Sequence, residues 1–376
     1  MTPKYQKICD RLREEIVNGT WTGGARFASI KDICDRFCVS YLTASKVLSE
    51  LRRCQLIRTV PGKGTFVCKG SGAIALIVPS LEGSEYYAPI CQEISAQFRR
   101  RGWRLYYSEM AGESVEECVR LVRVAAEDAI GRQDSAVVYL PMFFGADFAT
   151  VNREIFDLFR KSSIPLVIFD NDVGEETEGF DFIGIDNFDV GVRLARHLVS
   201  SGANHLLFAA EREVARAPNA LRRFAGIESV VLGSRKRTAT RFELTVASQG
   251  RLRHLIKTGA YDGLIGLNDA TALKLLELAQ AAGRRVPDEV RVAGVNGLEL
   301  SRLAIPGLTT ARQPIKSIAE AVVDTVEWRV ANLRKPARRI FVESELVVRG
   351  STVETKDRGK QEKKWCAKQS LAELVE

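Results

Sequence analysis

Residues 27–67, FASIKDICDRFCVSYLTASKVLSELRRCQLIRTVPGKGTFV, contain two short helical patterns joined by a tight turn and followed by a hairpin. In the first pattern Ile30, Ile33 and Phe37 recur at helical spacing and form one apolar face. Ser29 stands just before them, where its hydroxyl can accept one of the unpaired N–H groups of a first helical turn. The pattern therefore predicts a short capped helix.

The second helical pattern begins after a turn at Val39 and Ser40, with Ser40 as its expected cap. Its buried stripe consists of Ala44, Val47, Leu48 and Leu51. Its outward positions are small, polar or cationic: Tyr41, Thr43, Ser45, Lys46 and Ser49. Two short helices joined so tightly indicate a helix-turn-helix, and the outward surface fits a DNA major groove.

Two β-rich runs follow the second helix, Leu56–Val60 and Thr65–Val67, with the turn Pro61-Gly62-Lys63-Gly64 between them. A glycine-rich turn between such runs predicts a hairpin. A lysine between two glycines can approach a phosphate without obstruction from neighbouring side chains. Directly after a helix-turn-helix, this hairpin is typical of a wing.

An amphipathic helix is expected upstream, where Tyr5, Ile8, Leu12 and Ile16 share one face. Gly19 stands where this helix would end, and Gly23-Gly24 predict the turn that follows. The net charge of the chain is +8, and the Lys, Arg, Asp and Glu residues of 1–72 alone contribute +7. The charge is thus concentrated where it would attract a polyanion.

Residues 4–67, from KYQKICDRLREEIVNGTW to the GKGTFV hairpin, resemble the DNA-binding domain of the gluconate-repressor (GntR) family over its full length. The resemblance implies DNA contacts from the loop and first motif helix, the recognition helix and the wing: Arg26, Ser29, Lys31, Tyr41, Thr43, Ser45, Lys46, Gly62, Lys63 and Gly64. The family commonly has arginine where Tyr41 and Ser45 stand. We expect Tyr41 to contact a phosphate and the operator to differ from the usual one.

From residue 73 onward, apolar β-rich runs alternate with helical patterns. The runs are Ala73–Val78, Trp103–Tyr107, Ala136–Leu140, Leu166–Phe169, Phe182–Ile185, His205–Ala209, Leu264–Leu267 and Val290–Val295. Continuous apolar strands between amphipathic helices indicate parallel sheets covered on both faces, with ligands at the carboxyl ends of the strands. So long a span predicts two lobes facing a cleft.

Several segments in this part resemble, in order, the effector domain of the lactose-repressor (LacI) family, which is similar to periplasmic sugar-binding proteins. They include PSLEGSEYYAPI, FDND, ALRRFAGI, IGLNDATALKLLELAQAAGRRVPDEVRVAGVN and IPGLTTARQPI. A GntR-type head on such a body resembles the subgroup that includes arabinose-responsive repressors. The family's effector contacts fall by position on Tyr86, Tyr87, Asp170, Arg223, Asn268 and Asn296.

The chemistry of these residues fits a polyol, because aromatic faces cover the apolar patches of a sugar ring while Arg, Asp and Asn bond its hydroxyls. Ordinary packing of Tyr86 and Tyr87, and a capping role for Asp170, remain alternatives. Arg223 is expected to open a helix of the second lobe. It is the favoured contact, because a basic residue beside apolar Phe224 and Ile227 has little structural reason to point inward. Asn296 stands where the family often has aspartate.

The predicted fold is an N-terminal winged helix-turn-helix (α+β) followed by an α/β two-lobed periplasmic-binding-protein-like domain with parallel sheets. The expected domains are residues 1–68 for the DNA-binding head, 69–72 for a linker, 73–350 for the effector and dimerisation domain, and 351–376 for a charged tail. The linker lacks the hinge helix of lactose-repressor relatives. We therefore expect the effector to close the cleft of a homodimer and alter the spacing of its two heads.

The predicted function is that of a transcription regulator, a repressor, whose affinity for a double-stranded operator is modulated by a sugar. A purine or a phosphorylated metabolite is the alternative effector, and a sugar-binding protein without regulatory role is the alternative function. An enzyme is not expected, because GxSxG, HExxH and Walker motifs are absent and His197, His205 and His254 are the only histidines.

No cofactor and no metal are expected. The eight cysteines form no CxxC pair and are predicted to be reduced: Cys9, Cys34, Cys38, Cys54, Cys68, Cys91, Cys118 and Cys366. The chain has no apolar run of membrane-spanning length and opens without an apolar signal core. A cytoplasmic protein without membrane contact is predicted.

Overall fold

The computed structural model describes residues 3–17, 20–21, 24–53, 56–67, 72–81, 84–112, 114–142, 145–174 and 177–353. Several predicted features lie outside the described residues: Gly19, Gly23, residues 69–71 of the linker, the tail from 354 onward, and Cys54, Cys68 and Cys366. None of the described cysteines, Cys9, Cys34, Cys38, Cys91 and Cys118, forms a disulfide bond.

The strands of the chain are β1 Ile57–Val60, β2 Gly64–Val67, β3 Ala73–Pro79, β4 Arg104–Met110, β5 Ala136–Tyr139, β6 Leu166–Phe169, β7 Asp181–Gly184, β8 His205–Glu211, β9 Thr238–Leu244, β10 Gly263–Gly266, β11 Arg291–Asn296, β12 Thr309–Arg312, β13 Arg339–Phe341 and β14 Glu345–Val347. The helices are α1 Lys4–Val17, α2 Ile30–Phe37, α3 Tyr41–Arg53, α4 Tyr87–Arg100, α5 Val115–Arg132, α6 Gly145–Lys161, α7 Asn187–Ser200, α8 Pro218–Val231, α9 Gln249–Lys257, α10 Asp269–Ala281, α11 Glu299–Leu303 and α12 Ile315–Ala331.

The head consists of α1 to α3 and the antiparallel hairpin β1-β2. The helical spacing of its apolar residues has the predicted effect, because Leu12, Ile33, Val47 and Leu51 are fully buried in one core. Helix α2 ends at Phe37, and Cys38 closes it with a left-handed φ of 49°. This single tight turn lets α3 start at Tyr41 and pack on both other helices.

The body contains two six-stranded sheets. The first has the order β13-β7-β6-β5-β3-β4 with every neighbouring pair parallel. The second has the order β14-β12-β11-β10-β8-β9, and all its pairs are parallel except β12 with β14. Each residue of β5, β6, β7 and β10 is buried, because helices cover both faces of the sheets. The predicted fold class is confirmed.

Two compact units divide the chain. The first comprises the chain through Gly184, with the head included, together with Ile315–Val342. The second comprises Ile185–Pro314 and the chain from Glu343 onward. All strands of the first sheet belong to the first unit and all strands of the second sheet to the second unit, so both units have a core of their own.

The packed chain of the second unit continues past Gly350, where the body was predicted to end. Ser351 is buried and its Oγ donates to the carbonyl of Val292 at 2.6 Å, while Thr309 N donates to that Oγ at 2.8 Å. Thr352 is also buried, and its Oγ1 lies 2.8 Å from Nε2 of His197. These two residues therefore belong to the domain and not to the charged tail.

Burial lowers the pKa of His197 below its ordinary value. In the unfolded chain a histidine is protonated below about pH 6.5, whereas folded His197 is protonated only at lower pH. The unfolded state then binds more protons, so the stability contributed by neutral His197 is complete above about pH 6.5 and is lost as the pH falls toward the folded pKa. We expect urea unfolding, followed by circular dichroism at about pH 7.5 and about pH 5.5, to show a smaller acid loss in His197→Gln than in the parent protein. Equal losses of stability in the two proteins would show that the lowered pKa of His197 is not the cause.

Candidate functional site

The first predicted group of DNA contacts lies where α2 begins. Ser29 caps α2 through a reciprocal pair, since Asp32 N donates to Ser29 Oγ at 3.2 Å and Ser29 N donates to Asp32 Oδ2 at 2.7 Å. Hydrogen bonds to the Asp32 carboxyl from the backbone N–H of Ser29 and then from its side chain lower the pKa of Asp32, with smaller contributions from the charges of Lys31 and Arg26. Arg26, Ser29 and Lys31 are thus neighbours at one end of the motif.

Arg26 lies against the tip of the wing. Gly62 and Gly64 have φ values of 71° and 111°, which few other residues adopt, and Lys63 lies exposed between them. A Cβ added at Gly64 would lie 3.2 Å from Arg26 Nε, so the Arg26 side chain lies directly against the backbone of the turn. The predicted contacts of the loop and of the wing therefore form one cationic surface.

The recognition helix α3 carries the remaining predicted contacts. Ser40 precedes it and accepts a hydrogen bond from Thr43 N at 3.4 Å. Tyr41 is 66% exposed, whereas Thr43 and Ser45 are half-buried. Lys46 is exposed, and its Nζ lies 4.1 Å from the ring centroid of Tyr5 in α1. This cation–π contact holds the ammonium group beside α1.

In the first unit, three predicted effector residues meet at the carboxyl end of β6. The hydroxyls of Tyr86 and Tyr87 donate to Oδ1 and Oδ2 of Asp170, each at 3.1 Å, and their ring centroids are 5.0 Å apart. Tyr86 is buried and Tyr87 is half-buried. Buried Cys91 lies close by, and burial together with the charge of Asp170 raises the pKa of its thiol to about 12. The group presents an acidic acceptor flanked by two aromatic rings.

In the second unit, Arg223 is only 5% exposed and is held by protein groups. Its Nε donates to Oδ1 of Asn187 at 2.7 Å, and its Nη1 donates to the carbonyl of Leu267. Helix α8 begins at Pro218, so Arg223 lies in the second turn and does not open the helix. The expectation that this arginine has little structural reason to point inward is wrong, because two protein acceptors hold it there.

Asn268 follows Leu267 and caps α10, since its Oδ1 accepts a hydrogen bond from Thr271 N at 2.8 Å. Asn296 ends β11 with a φ of 119°, and its Oδ1 accepts a hydrogen bond from Gln313 Nε2 at 3.0 Å. Asp269 is fully buried, which raises its pKa, and its Oδ2 accepts a hydrogen bond from Leu298 N at 2.7 Å. These contacts fix the loops at the carboxyl ends of β10 and β11.

Backbone strain marks two of the predicted effector residues. The described non-glycine residues with positive φ are Cys38, Gln133, Asp170 and Asn296. Cys38 and Gln133 close helices, where this conformation is common. Asp170 and Asn296 instead follow or end a strand, and strained residues that persist at such places concentrate in functional sites.

Sequence reasoning missed Asn187 and Gln313. Both are buried polar residues placed just after a strand, Asn187 after β7 and Gln313 after β12. Asp170 and Asn268 were named from the family resemblance, and each is a polar residue after an apolar run. The same pattern occurs at Asn187, which follows Phe182–Ile185. It could not apply to Gln313, because β12 reads TTAR and shows no apolar run.

Within the described part of the chain, no helix is long and apolar enough to cross a membrane. The same residues contain no group of three or more His, Cys, Asp or Glu side chains that could hold a metal ion.

Residues 4–67 match the gntR family of bacterial regulatory proteins, and residues 195–352 match a periplasmic binding protein-like domain. The chain is 28% identical over 200 residues to the uncharacterized HTH-type transcriptional regulator YvdE of Bacillus subtilis, a match of 50% of this chain and 59% of that protein. It is 27% identical over 185 residues to the sucrose operon repressor of Streptococcus mutans, a match of 48% of this chain and 55% of that protein. The chain thus spans between half and two thirds of each of these relatives.

A solved structure, the transcriptional regulator CelR–cellobiose complex, superposes on this chain with a TM-score of 0.61 at 18% sequence identity. The superposition covers 93% of this chain and 100% of the CelR chain. That similarity shows a shared fold. The resemblance inferred from the sequence motifs is confirmed. The chain therefore combines a winged helix-turn-helix domain of the gntR family of bacterial regulatory proteins at residues 4–67 with a periplasmic binding protein-like domain at residues 195–352.

Proposed function

We propose that the protein is a sequence-specific transcription repressor that binds its operator as a homodimer and changes its affinity for that operator when it binds a sugar. One observation carries the proposal: a head of a regulator family, with an exposed cationic surface, precedes a body of a ligand-binding fold. The name of the sucrose operon repressor and the cellobiose bound by CelR support this combination. No catalytic step is part of the proposal.

Arg26, Ser29 and Lys31, helix α3 and the wing are the proposed DNA contacts. Tyr41 and Lys46 would meet the duplex from α3, Thr43 and Ser45 would line the same face, and Gly62, Lys63 and Gly64 would approach a phosphate. Phosphate contacts supply most of the affinity of such a surface, and contacts to base edges supply its specificity. Two heads joined in a dimer would bind far more tightly than one, because the second contact becomes intramolecular.

A sugar is proposed as the effector in preference to a phosphorylated metabolite. Asp170 contributes a negative charge beside two phenol hydroxyls, which suits the hydroxyl groups of a neutral polyol and repels phosphate. Arg223, the buried cation of the proposed site, already donates to two protein acceptors. Asn268 and Asn296 would add amide groups that both donate and accept. A purine is the remaining alternative, because tyrosine rings also stack on bases.

The test begins with in vitro selection of an operator from a randomised duplex library and with a thermal-shift screen of sugars, purines and phosphorylated sugars. A ligand that binds only the native state raises its melting temperature. We expect a sugar to give the largest shift and to change operator affinity in gel-shift titration. If no duplex sequence is selected, the proposal of a sequence-specific regulator is wrong. If only purines give a response, the proposal of a sugar effector is wrong.

Replacing Lys63 by alanine should weaken binding to all duplex sequences alike, because its contact is with a phosphate. The slope of log affinity against log salt should fall by about one unit. Lys236→Ala is the matched control, since this lysine is exposed in the second unit, outside the head. An unchanged slope for the Lys63 variant would exclude the wing from the interface.

A further inference from the structure

Within the first unit, the head packs against the body through helices α1 and α12. An ion pair between Asp10 of α1 and Arg334, three residues beyond α12, spans 3.1 Å. A cavity of about 430 Å³ lies beside this pair and is lined from both sides. Its walls include Gln6, Cys9 and Arg13 from the head and Ser135, Pro165 and Phe180 from the body. We call these residues, with Asp10 and Arg334, the docking interface.

The docking interface lies at the amino-terminal edge of the first sheet. Ser135, Pro165 and Phe180 stand directly before β5, β6 and β7, whereas Asp170 follows the carboxyl end of β6. The two ends of a strand lie on opposite edges of a parallel sheet. The docking interface is therefore separate from the Asp170 group of the proposed effector site.

The docking interface also leaves the proposed DNA surface uncovered. Tyr41 is 66% exposed and Lys63 is exposed, although α1 is packed on α12. Docking therefore does not block the DNA contacts. What docking fixes is the direction in which α3 and the wing point.

The contact has the character of a reversible interface. The side chains of Arg334 and Asp10 remain 50% and 33% exposed, and ion pairs so placed are weak. Gln133 Oε1 and Ser135 Oγ line the cavity without a hydrogen-bond partner among the residues that the structure describes. A permanent core would be densely packed and fully hydrogen-bonded. The contact between head and body can therefore form and dissociate reversibly.

Helix α12 connects the docking interface to the rest of the protein. The chain leaves the second unit at Pro314 and enters α12 at Ile315, and 17 residues of helix span about 25 Å. Buried Asp181 accepts from Arg329 Nη2 at 2.8 Å, which fixes the far end of the helix to β7. Glu327 accepts from Trp103 Nε1 at 2.9 Å, which fixes the helix beside the end of α4. One helix of the first unit therefore joins the point where the chain leaves the second unit to the docking interface.

We propose that the head is docked on the body through the α1–α12 contact and the Asp10–Arg334 pair, and that this docking interface couples effector binding to the orientation of the head. The proposal rests on the proposed function, because it assumes a DNA-binding head and a ligand-binding body. It offers a route in place of the hinge helix, which the sequence of the linker does not predict. Coupling of this kind is reciprocal, so DNA on the head must also act on α12.

The reciprocity allows a test without the natural effector or operator. A mixed-sequence duplex at low salt serves as the probe, because electrostatic binding to it does not depend on sequence. Amide hydrogen exchange of α12 is measured in the full chain with and without this duplex. We expect the duplex to change exchange in α12 of the parent protein, and Arg334→Asp to abolish the change while the duplex still binds. Exchange in α1 should become up to about fivefold faster in Arg334→Asp, since attraction is replaced by repulsion from Asp10.

The swapped pair Asp10→Arg with Arg334→Asp should restore both slow exchange in α1 and the response of α12. Arg302→Asp is the matched control, because it makes the same charge change beside Glu299 in the second unit. The docking proposal fails if the duplex leaves α12 of the parent protein unchanged, or if Arg334→Asp keeps the full response. Failure of the duplex to bind at all would instead count against the proposed function.

Discussion

Gly226→Ala should destabilise the second unit by about 3 kcal/mol or more, which is the upper range for an overpacked core. Helices α7 and α8 touch backbone to backbone at this point. A Cβ on Gly226 would lie 2.1 Å from the carbonyl oxygen of Phe188 and 3.0 Å from Val192 N. A Cβ on Gly191 would lie 2.1 Å from the carbonyl oxygen of Arg223. No side-chain movement relieves a contact with backbone, so the two helices must separate.

Separation of α7 from α8 should also disrupt the proposed effector site. Asn187 begins α7, and Arg223 lies one turn before Gly226 on α8, so the bond between them depends on the close helix crossing. Urea unfolding followed by circular dichroism measures the loss. Hydrogen exchange locates it in α7 and α8.

The matched control for Gly226→Ala is Gly250→Ala, in α9 of the same unit. A Cβ on Gly250 meets nothing within 4 Å. Alanine at that position should leave stability unchanged or raise it by up to about 1 kcal/mol, because alanine is the better helix former. A loss of equal size in both variants would show that the crossing of α7 and α8 is not the cause.

Of the strands of the body that sequence reasoning identified, all but β4 are largely buried; β4 is an exposed edge strand that was found from Trp103–Tyr107. Runs such as AVVY in β5 and LVIF in β6 contain little besides apolar residues, so their composition alone predicts that they are buried. Strand β9, TATRFEL, was missed because it forms an edge of the second sheet and carries polar residues on its open side. Strands β13 and β14 have three residues each, too few for a pattern. Their positions depend on pairing partners far away in the chain.

For the candidate site, the sequence likewise predicted some features and not others. Tyr86, Tyr87 and Asp170 were named from the family resemblance, and the structure brings them together. What the sequence could not reveal was the partner of each polar group. Gln313 bonds Asn296 across neighbouring strands, and Asn187 bonds Arg223 across two helices. Such pairings follow from sheet order and helix crossing, which a single sequence does not contain.

Arg223→Ala should abolish the response to the effector while leaving DNA binding intact at temperatures where the second unit is folded. The head belongs to the first unit, and Arg223 belongs to the second. Loss of a charge-assisted hydrogen bond costs about 1.5 to 3 kcal/mol, which lowers effector affinity roughly tenfold to a hundredfold. The phenotype would be a repressor that no longer releases its operator.

The structure adds a cost in stability to this prediction. Truncation leaves the buried Oδ1 of Asn187 and the carbonyl of Leu267 without their donor, at about 1 to 3 kcal/mol for each group. Arg222→Ala is the matched control, because that arginine is exposed on the same helix. We expect Arg222→Ala to leave both the melting temperature and the effector response close to those of the parent protein.

A ligand contact and a purely structural role for Arg223 make different predictions below the melting temperature. Effector affinity measured by calorimetry in the cold reports on folded protein only. If Arg223 touches the sugar, Arg223→Ala binds it weakly even there, because the donors that faced the hydroxyls are gone. If Arg223 only supports Asn187 and Leu267, lowering the temperature restores the fold and affinity returns with it. Unchanged affinity in the cold, together with a lowered melting temperature, would therefore remove Arg223 from the ligand contacts and leave it as the residue that positions the loops at the ends of β7 and β10.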